Sequence, residues 1–332
     1  MAKREKKKKR MKKSTKITLI TITAILLFAI GFGAVYFYST FSGIKKDTIS
    51  KSDIEGSIDK DVKEKYDDSI INIALLGVDR RKGDTGRSDA TMVLTVDKKH
   101  NKLKLTSIMR DSYVSIDGHG MDKLNAAFAY GGGALSIKTI NQNFGLNITD
   151  YVVVDFGELA DIIDALGGVD INVKQSEFTE TNKYIESVMR EANKPGKTLT
   201  APGMQRLTGV QAVGYCRIRY TDSDFARTDR QRDVLVAMFN KVKTISPTEL
   251  PGVIKKISPY LETSLGVSDI LNLGTGVLKS GIGNIQQQIF PIEGLDNCVG
   301  TTTGTFYFKY DKDALKKRIQ NYVFEDKDAK NQ

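Results

Sequence analysis

The stretch IINIALLGVDRRKGDTGRSDATMVLTV, residues 70–96, decides the fold class. Its ends, IINIALLGV (70–78) and ATMVLTV (90–96), are apolar runs of strand length, the pattern of strands covered on both faces. A glycine-bearing polar loop separates them. The first strand therefore delivers Asp79 at its C-terminal end, and Asp89 begins the second. Two carboxylates at neighbouring strand ends form a candidate site for one hard cation, because Mg2+ takes one or two carboxylates together with phosphate oxygens and water. Arg87 lies two residues from Asp89. No Gly-Lys-Ser/Thr follows at the spacing of a Walker loop, and a plain polar hairpin is the competing interpretation of this cluster.

Working outward, KLKLTSIM (102–109) alternates with period two and ends at Arg110 and Asp111. MDKLNAAFAY (121–130) and ALSIKTINQNF (134–144) are predicted as two helices split by Gly131, Gly132 and Gly133. YVVVDF (151–156) and VDINV (169–173) are predicted strands around the helix GELADIIDALGG (157–168). Residues 174–204 are polar and predict a surface excursion. Helices are expected over 209–215, 227–243, 267–279 and 312–322, with strands near 286–291 and 305–310. This order predicts an α/β (α+β mixed) domain over residues 70–325, a central mixed β-sheet flanked by helices, followed by a polar tail, 326–332.

RIRYTDSDFARTDRQR, residues 217–232, packs five arginines into sixteen positions. The β-branched and aromatic neighbours of Arg217 and Arg219 favour an extended backbone, which would place both on one face about 7 Å apart, a separation suited to two linked phosphates. Arginine brings planar, bidentate contacts to such a ligand. Arg227 and Gln231 follow at i and i+4 on a predicted helix, with Arg230 at i+3. Pairing with Asp222, Asp224, Asp229 and Asp233 is the alternative use of these arginines. His100 and His119 lie away from every cluster, which disfavours a histidine base. Cys216 and Cys298 are too few for a disulfide-built scaffold, and the sequence leaves their pairing open.

The net charge of +10 is concentrated at one end: residues 1–16 carry ten Lys or Arg against Glu5. Directly behind lies the uncharged ITLITITAILLFAIGFGAVYFY, residues 17–38, about 33 Å long as a helix and enough to cross a bilayer core of about 30 Å. The basic block predicts a cytoplasmic N-terminus, and Tyr36, Phe37 and Tyr38 an aromatic belt on the far side. A cytoplasmic tail (1–16), a transmembrane helix (17–38), a polar extracellular linker (39–69) and an extracellular domain are thus expected. The basic residues are committed to membrane topology and anionic lipid, so nucleic acid is not an expected partner.

The ordered set LLGVD, GDTGRSDA, SIMRDSYV, LNAAFAYGG, DALGGV and RIRY followed by FARTDRQR resembles the LytR-CpsA-Psr family of Gram-positive cell-envelope proteins. The resemblance covers about residues 70–325. It implies a phosphotransferase that moves a glycopolymer, a teichoic acid or a capsular or secondary wall polysaccharide, from a polyprenyl-pyrophosphate carrier to a peptidoglycan hydroxyl through a phosphodiester. It further implies that Asp79 and Asp89 hold Mg2+, with Mn2+ as a substitute. Arg87, Arg110, Arg217, Arg219, Arg227 and Gln231 would hold the pyrophosphate. Asp89 and Asp111 are both candidates to accept the hydroxyl's proton, so Asp89, Arg110 and Asp111 form the expected catalytic set. The apolar residues Leu124, Phe128, Ile137, Ile140, Leu159 and Ile163 could line a groove for the tail or simply belong to the core. A non-catalytic regulator that binds the lipid carrier, or a hydrolase of the same pyrophosphate, are the competing functions.

Overall fold

The computed structural model describes residues 40–66, 69–80, 83–218, 223–246, 248–279, 284–296, 299–302 and 304–331. The expected tail and transmembrane helix, 1–38, lie outside the described residues, as do Arg219 and Cys298. Among the described residues no helix is long and apolar enough to cross a membrane.

The strands are β1 (Lys45–Lys46), β2 (Ile70–Asp79), β3 (Arg87–Asp97), β4 (Lys102–Ile108), β5 (Tyr113–Ile116), β6 (Gly120–Lys123), β7 (Asp150–Asp155), β8 (Val169–Val173), β9 (Gly203–Leu207), β10 (Glu262–Thr263), β11 (Ile285–Phe290), β12 (Val299–Thr302) and β13 (Phe306–Lys309). Seven of them form one sheet in the order β1-β10-β7-β2-β3-β4-β11, and the rest pair as three ribbons, β5-β6, β8-β9 and β12-β13. The sheet is mixed: β2 runs parallel to β7 and antiparallel to β3, while β4 is antiparallel to β3 and parallel to β11. The expected architecture is therefore present.

Alternation along β2 divides the molecule. Ala74, Leu76 and Val78 point into the main core, which is closed by the helices Ala126–Phe144 and Lys312–Phe324. Ile71 and Ile73 face the other side, toward Leu273 and Val277 of helix Val267–Lys279. A second core gathers helices Phe156–Ala165, Gln175–Glu191, Gly209–Cys216 and Asp224–Lys243 around the β8-β9 ribbon.

Several segments differ from the sequence expectation. Residues 39–69, expected as a polar linker, contribute β1 to the sheet edge and two short helices, Lys51–Gly56 and Lys60–Lys65, and Ile54, Ile58 and Val62 are buried in the main core. Their spacing of four keeps one apolar stripe in otherwise charged sequence. Residues 174–204 hold the helix Gln175–Glu191 in place of an irregular excursion; Thr181, Ile185 and Val188 form its narrow buried face. Met121–Lys123 lies in β6 and not in a helix. The two helices predicted around the glycines are one element, Ala126–Phe144, kinked at Gly131 and Gly132. Leu124, Phe128, Ile137 and Ile140 belong to the main core and Ile163 to the second, with Leu159 packed against it, so here they serve as core.

The C-terminal end is fastened by a buried lysine. Lys104, on β4, is fully buried and reaches Asp97 at 3.0 Å, Asp326 at 3.1 Å and the Tyr322 carbonyl at 3.0 Å. These partners satisfy an ammonium that would otherwise be costly to bury, and they draw the first residue of the expected tail onto the sheet.

In the second core, helix Gly209–Cys216 lies so close to helix Phe156–Ala165 that a Cβ on Gly209 would sit 1.9 Å from the Ala160 carbonyl oxygen. Gly209→Ala is expected to force the helices apart and lower unfolding stability by about 1–3 kcal/mol, measured by urea denaturation. An unchanged midpoint would show that this contact is not tight.

Candidate functional site

The strand ends on one edge of the sheet build the site. In the β2-β3 ladder Gly77 pairs with Ala90 and Val78 with Ser88, leaving Asp89 opposite no residue as the extra member of a β-bulge. Bulges re-aim side chains beside functional sites. Ser88 is buried, and Asp89 turns into the same cavity as Asp79. The connecting loop closes only with glycine at position 86. Its φ is +76°, and a Cβ there would come within 2.7 Å of the Asp79 carbonyl oxygen.

That cavity has a volume of about 670 Å3. Asp79, Arg80 and Asp89 line it from the strand ends, Glu191 and Arg217 from one wall, and Arg227 and Gln231 from another. Asp155 also lines it: its carboxylate accepts from the Gly157 N–H at 2.7 Å, capping the helix that follows β7, and from the Arg80 N–H at 3.1 Å. The floor and the first helix are thereby tied together.

Arg110, just past β4, stands behind Asp89. Its guanidinium meets Asp89 Oδ1 at 2.7 Å, Asp111 Oδ2 at 3.2 Å and Asp224 Oδ1 at 3.7 Å, and Asp224 in turn meets Arg227 at 3.0 Å. Burial pulls the Arg110 pKa down, but the Asp89 and Asp111 carboxylates outweigh it and the net shift is upward. Asp111 is only 3% exposed and also receives Lys123 Nζ at 2.5 Å, so it supports Arg110 from behind and does not face the cavity. This corrects its candidacy as a proton acceptor. Arg87 is exposed, paired in register with Asp79, and does not line the cavity.

Arg217 departs from expectation as well. It does not lie on an extended strand: Gly209–Cys216 is helical and Arg217 is its C-cap, with φ −92° and ψ −3°. The Gln211 side chain accepts from the Thr208 N–H at the helix start, and this local capping overrides the strand propensity of the neighbouring residues. Arg217 meets Glu191 at 2.6 Å. The Glu191 carboxyl is held below its usual range by the hydrogen bond from Ser187 and by Arg217. Arg230 leaves the face of Arg227 and Gln231: it is 1% exposed, bonded to Glu177 at 3.1 Å and to the Ile218 carbonyl at 3.2 Å. It braces the wall.

Asp79, Asp89, Arg217, Arg227 and Gln231 thus converge on one cavity, with Arg110 beside it. Arg80, Asp155 and Glu191 were not singled out in the sequence. Asp155 carried a legible signal, an aspartate between an apolar strand and an amphipathic helix, whereas Glu191 sits on the unrecognised helix. Among the described residues, four carboxylates (Asp79, Asp89, Asp155, Glu191) and three arginines (Arg80, Arg217, Arg227) line the cavity. Such a set is close to neutral, and a diphosphate added to it calls for further positive charge. The two strand-end carboxylates fit Mg2+ shared with phosphate oxygens. No group of three or more His, Cys, Asp or Glu that could hold a metal unaided occurs among the described residues.

A mixed sheet thus carries paired carboxylates at its strand ends, facing arginines of the neighbouring helices across one cavity. The LytR_cpsA_psr family model matches residues 32–322, and the chain belongs to that family. It is 33% identical over 318 residues, 90% of this chain and 92% of the relative, to the polyisoprenyl-teichoic acid–peptidoglycan teichoic acid transferase TagT of Bacillus subtilis (strain 168). A structure of TagT bound to LIIa-WTA superimposes with a TM-score of 0.61 at 28% identity, covering 78% of this chain and 93% of that one. The family protein YwtF (TagT) with bound octaprenyl pyrophosphate lipid superimposes with a TM-score of 0.57 at 26% identity, covering 78% and 93%.

Cys216 borders the cavity yet is buried, and burial pushes its thiol up to about 12. Burial both disfavours the thiolate and shields the sulfur, so iodoacetamide is expected to leave Cys216 unmodified in the folded protein and to label it in denaturant. Peptide mass mapping reads this, and native labelling at the denatured rate would contradict the burial.

Proposed function

We propose that this protein is a membrane-anchored phosphotransferase of the extracellular face that moves a glycopolymer from a polyprenyl-pyrophosphate carrier to a peptidoglycan hydroxyl. The observation that carries this is the convergence of Arg217, Arg227 and Gln231 with Asp79 and Asp89 on one cavity. The names of its relatives supply the substrate class.

The basic block and apolar run at residues 1–38 support the anchor. The sheet supports a course for the lipid. Odd-numbered residues of β2 lead from Ile71 and Ile73, which line an apolar cavity of about 460 Å3, to Gly77 against Phe156 and on to Asp79. At about 3.3 Å per residue, Ile73 and Asp79 are about 20 Å apart on that face. A prenyl chain with its diphosphate at Asp79 would run toward Ile73.

Arg217, Arg227 and Gln231 hold the diphosphate, and Arg110 fixes Asp89 and Asp224 around it. The acceptor hydroxyl attacks the phosphorus that bears the glycopolymer, the bridging P–O bond breaks, and polyprenyl monophosphate leaves. Asp89, the one of the two candidate carboxylates that faces the cavity, receives the hydroxyl's proton. Asp79 and Asp89 would hold Mg2+ or Mn2+, which would supply charge neutralisation during the transfer.

Reconstituted full-length protein, given labelled lipid-linked glycopolymer, peptidoglycan and Mg2+, is expected to form the phosphodiester, and Arg227→Ala to lower kcat/KM by about 10²–10³. Absence of transfer from several donor lipids by folded protein would refute the proposal, and phosphate release without acceptor would indicate a hydrolase. EDTA should abolish transfer and Mg2+ or Mn2+ restore it; activity indifferent to EDTA would remove the metal from Asp79 and Asp89.

A further inference from the structure

Beyond Arg110, away from the cavity, the site continues into a surface of aromatic rings that the proposed chemistry leaves unused. The β12-β13 ribbon docks directly on the residues after Arg110: the Phe308 N–H donates to the Asp111 carbonyl at 2.9 Å, and Phe308 bridges Ser112. Docking sets Tyr307 against Tyr113, ring centroids 4.8 Å apart and tilted 64°. Lys123, the partner of Asp111, lies 5.5 Å from the Tyr307 ring, and Lys309 lies 5.3 Å from the Tyr113 ring. Phe306, 37% exposed, lies on the other face of β13 against Phe308. From the cavity outward the contacts run Asp89, Arg110, Asp111, Lys123, Tyr307.

We propose that Tyr113 and Tyr307, rimmed by Lys123 and Lys309, form the platform on which the acceptor glycan strand lies; this rests on the transferase function proposed above. Tyr113 and Tyr307 are half-buried, and the chemistry around their rings selects the occupant. A lipid tail would bury the Lys309 ammonium and two phenol hydroxyls without partners, which is costly. A pyranose offers what the platform can use: a face of polarised C–H bonds to lie on the negative face of a ring, and a hydroxyl edge for the phenols. Carboxylates carried by the strand meet Lys309, while Lys123 stays with Asp111 at the inner edge of the platform. Position separates acceptor from donor. In-line displacement sets the attacking and leaving oxygens roughly opposite one another. The leaving prenyl phosphate lies toward Ile73 along β2, whereas the platform lies past the strand ends, beyond Asp89 and Arg110.

The test uses the full-length protein in detergent with soluble, uncrosslinked peptidoglycan strands as probe. Tyr307→Ala is expected to raise the acceptor KM about tenfold while kcat and the donor KM stay near wild type, with Tyr307→Phe restoring most of the loss. Strand binding measured without donor should fall in parallel. An acceptor KM unmoved in the folded Tyr113→Ala/Tyr307→Ala variant overturns the platform, and so does a rise confined to the donor KM. Were transfer itself absent, donor-free binding still decides: strands that bind wild type but not Tyr307→Ala support the platform, and strands that do not bind wild type overturn it.

Discussion

The Arg110 guanidinium, shared by Asp89, Asp111 and Asp224, is the contact on which the site depends. Its three partners come from three elements: the bulge in β3, the end of β4 and the first turn of helix Asp224–Lys243. One planar fork can span them because its donors are fixed relative to one another, which an ammonium cannot imitate. Held this way, Asp89 keeps its direction into the cavity, and Asp224 positions Arg227. In the proposed reaction the groups around the diphosphate would therefore be pre-set by opposite charges behind them, the condition under which electrostatic stabilisation requires little reorganisation.

The cavity has a floor and walls of different origin. The floor is the strand-end edge of the sheet, closed by the tight approach of Gly86 to Asp79. The walls belong to the second core, where Gly209 lets two helices approach and Arg230 ties helix Gln175–Glu191 to the backbone at Ile218. Asp155 is the hinge between the two, capping a wall helix with one oxygen and holding the Arg80 backbone with the other. Loss of that carboxylate would release floor and wall together.

The sheet was legible because its strands are long and apolar: β2, β3 and β4 lie where the runs at 70–78, 90–96 and 102–109 placed them. The carboxylates at their ends followed from the same pattern. Helix Gln175–Glu191 escaped because its buried stripe is narrow, includes Thr181 and is flanked by charge. At Arg217 local sequence misleads, because Tyr215 and Ile218 favour strands while the helix that ends there is set by capping and packing. The bulge at Asp89 leaves no mark in composition at all; it is a property of register. The Arg110 fork likewise joins residues 21 and more than 100 positions apart, a proximity that only the fold creates.

The strand β1 gives the molecule a short leash. In the membrane-anchored arrangement proposed above, the apolar run ends at Tyr38, Phe41 is already buried, and Lys45 is hydrogen-bonded into the sheet edge beside β10. In that arrangement so little slack would restrict pivoting of the body over the bilayer. The opening between strand ends and helices would then stay at a set height above the lipid headgroups, so that a carrier lipid would have to climb to it and wall polymer would be worked on only within that shallow layer.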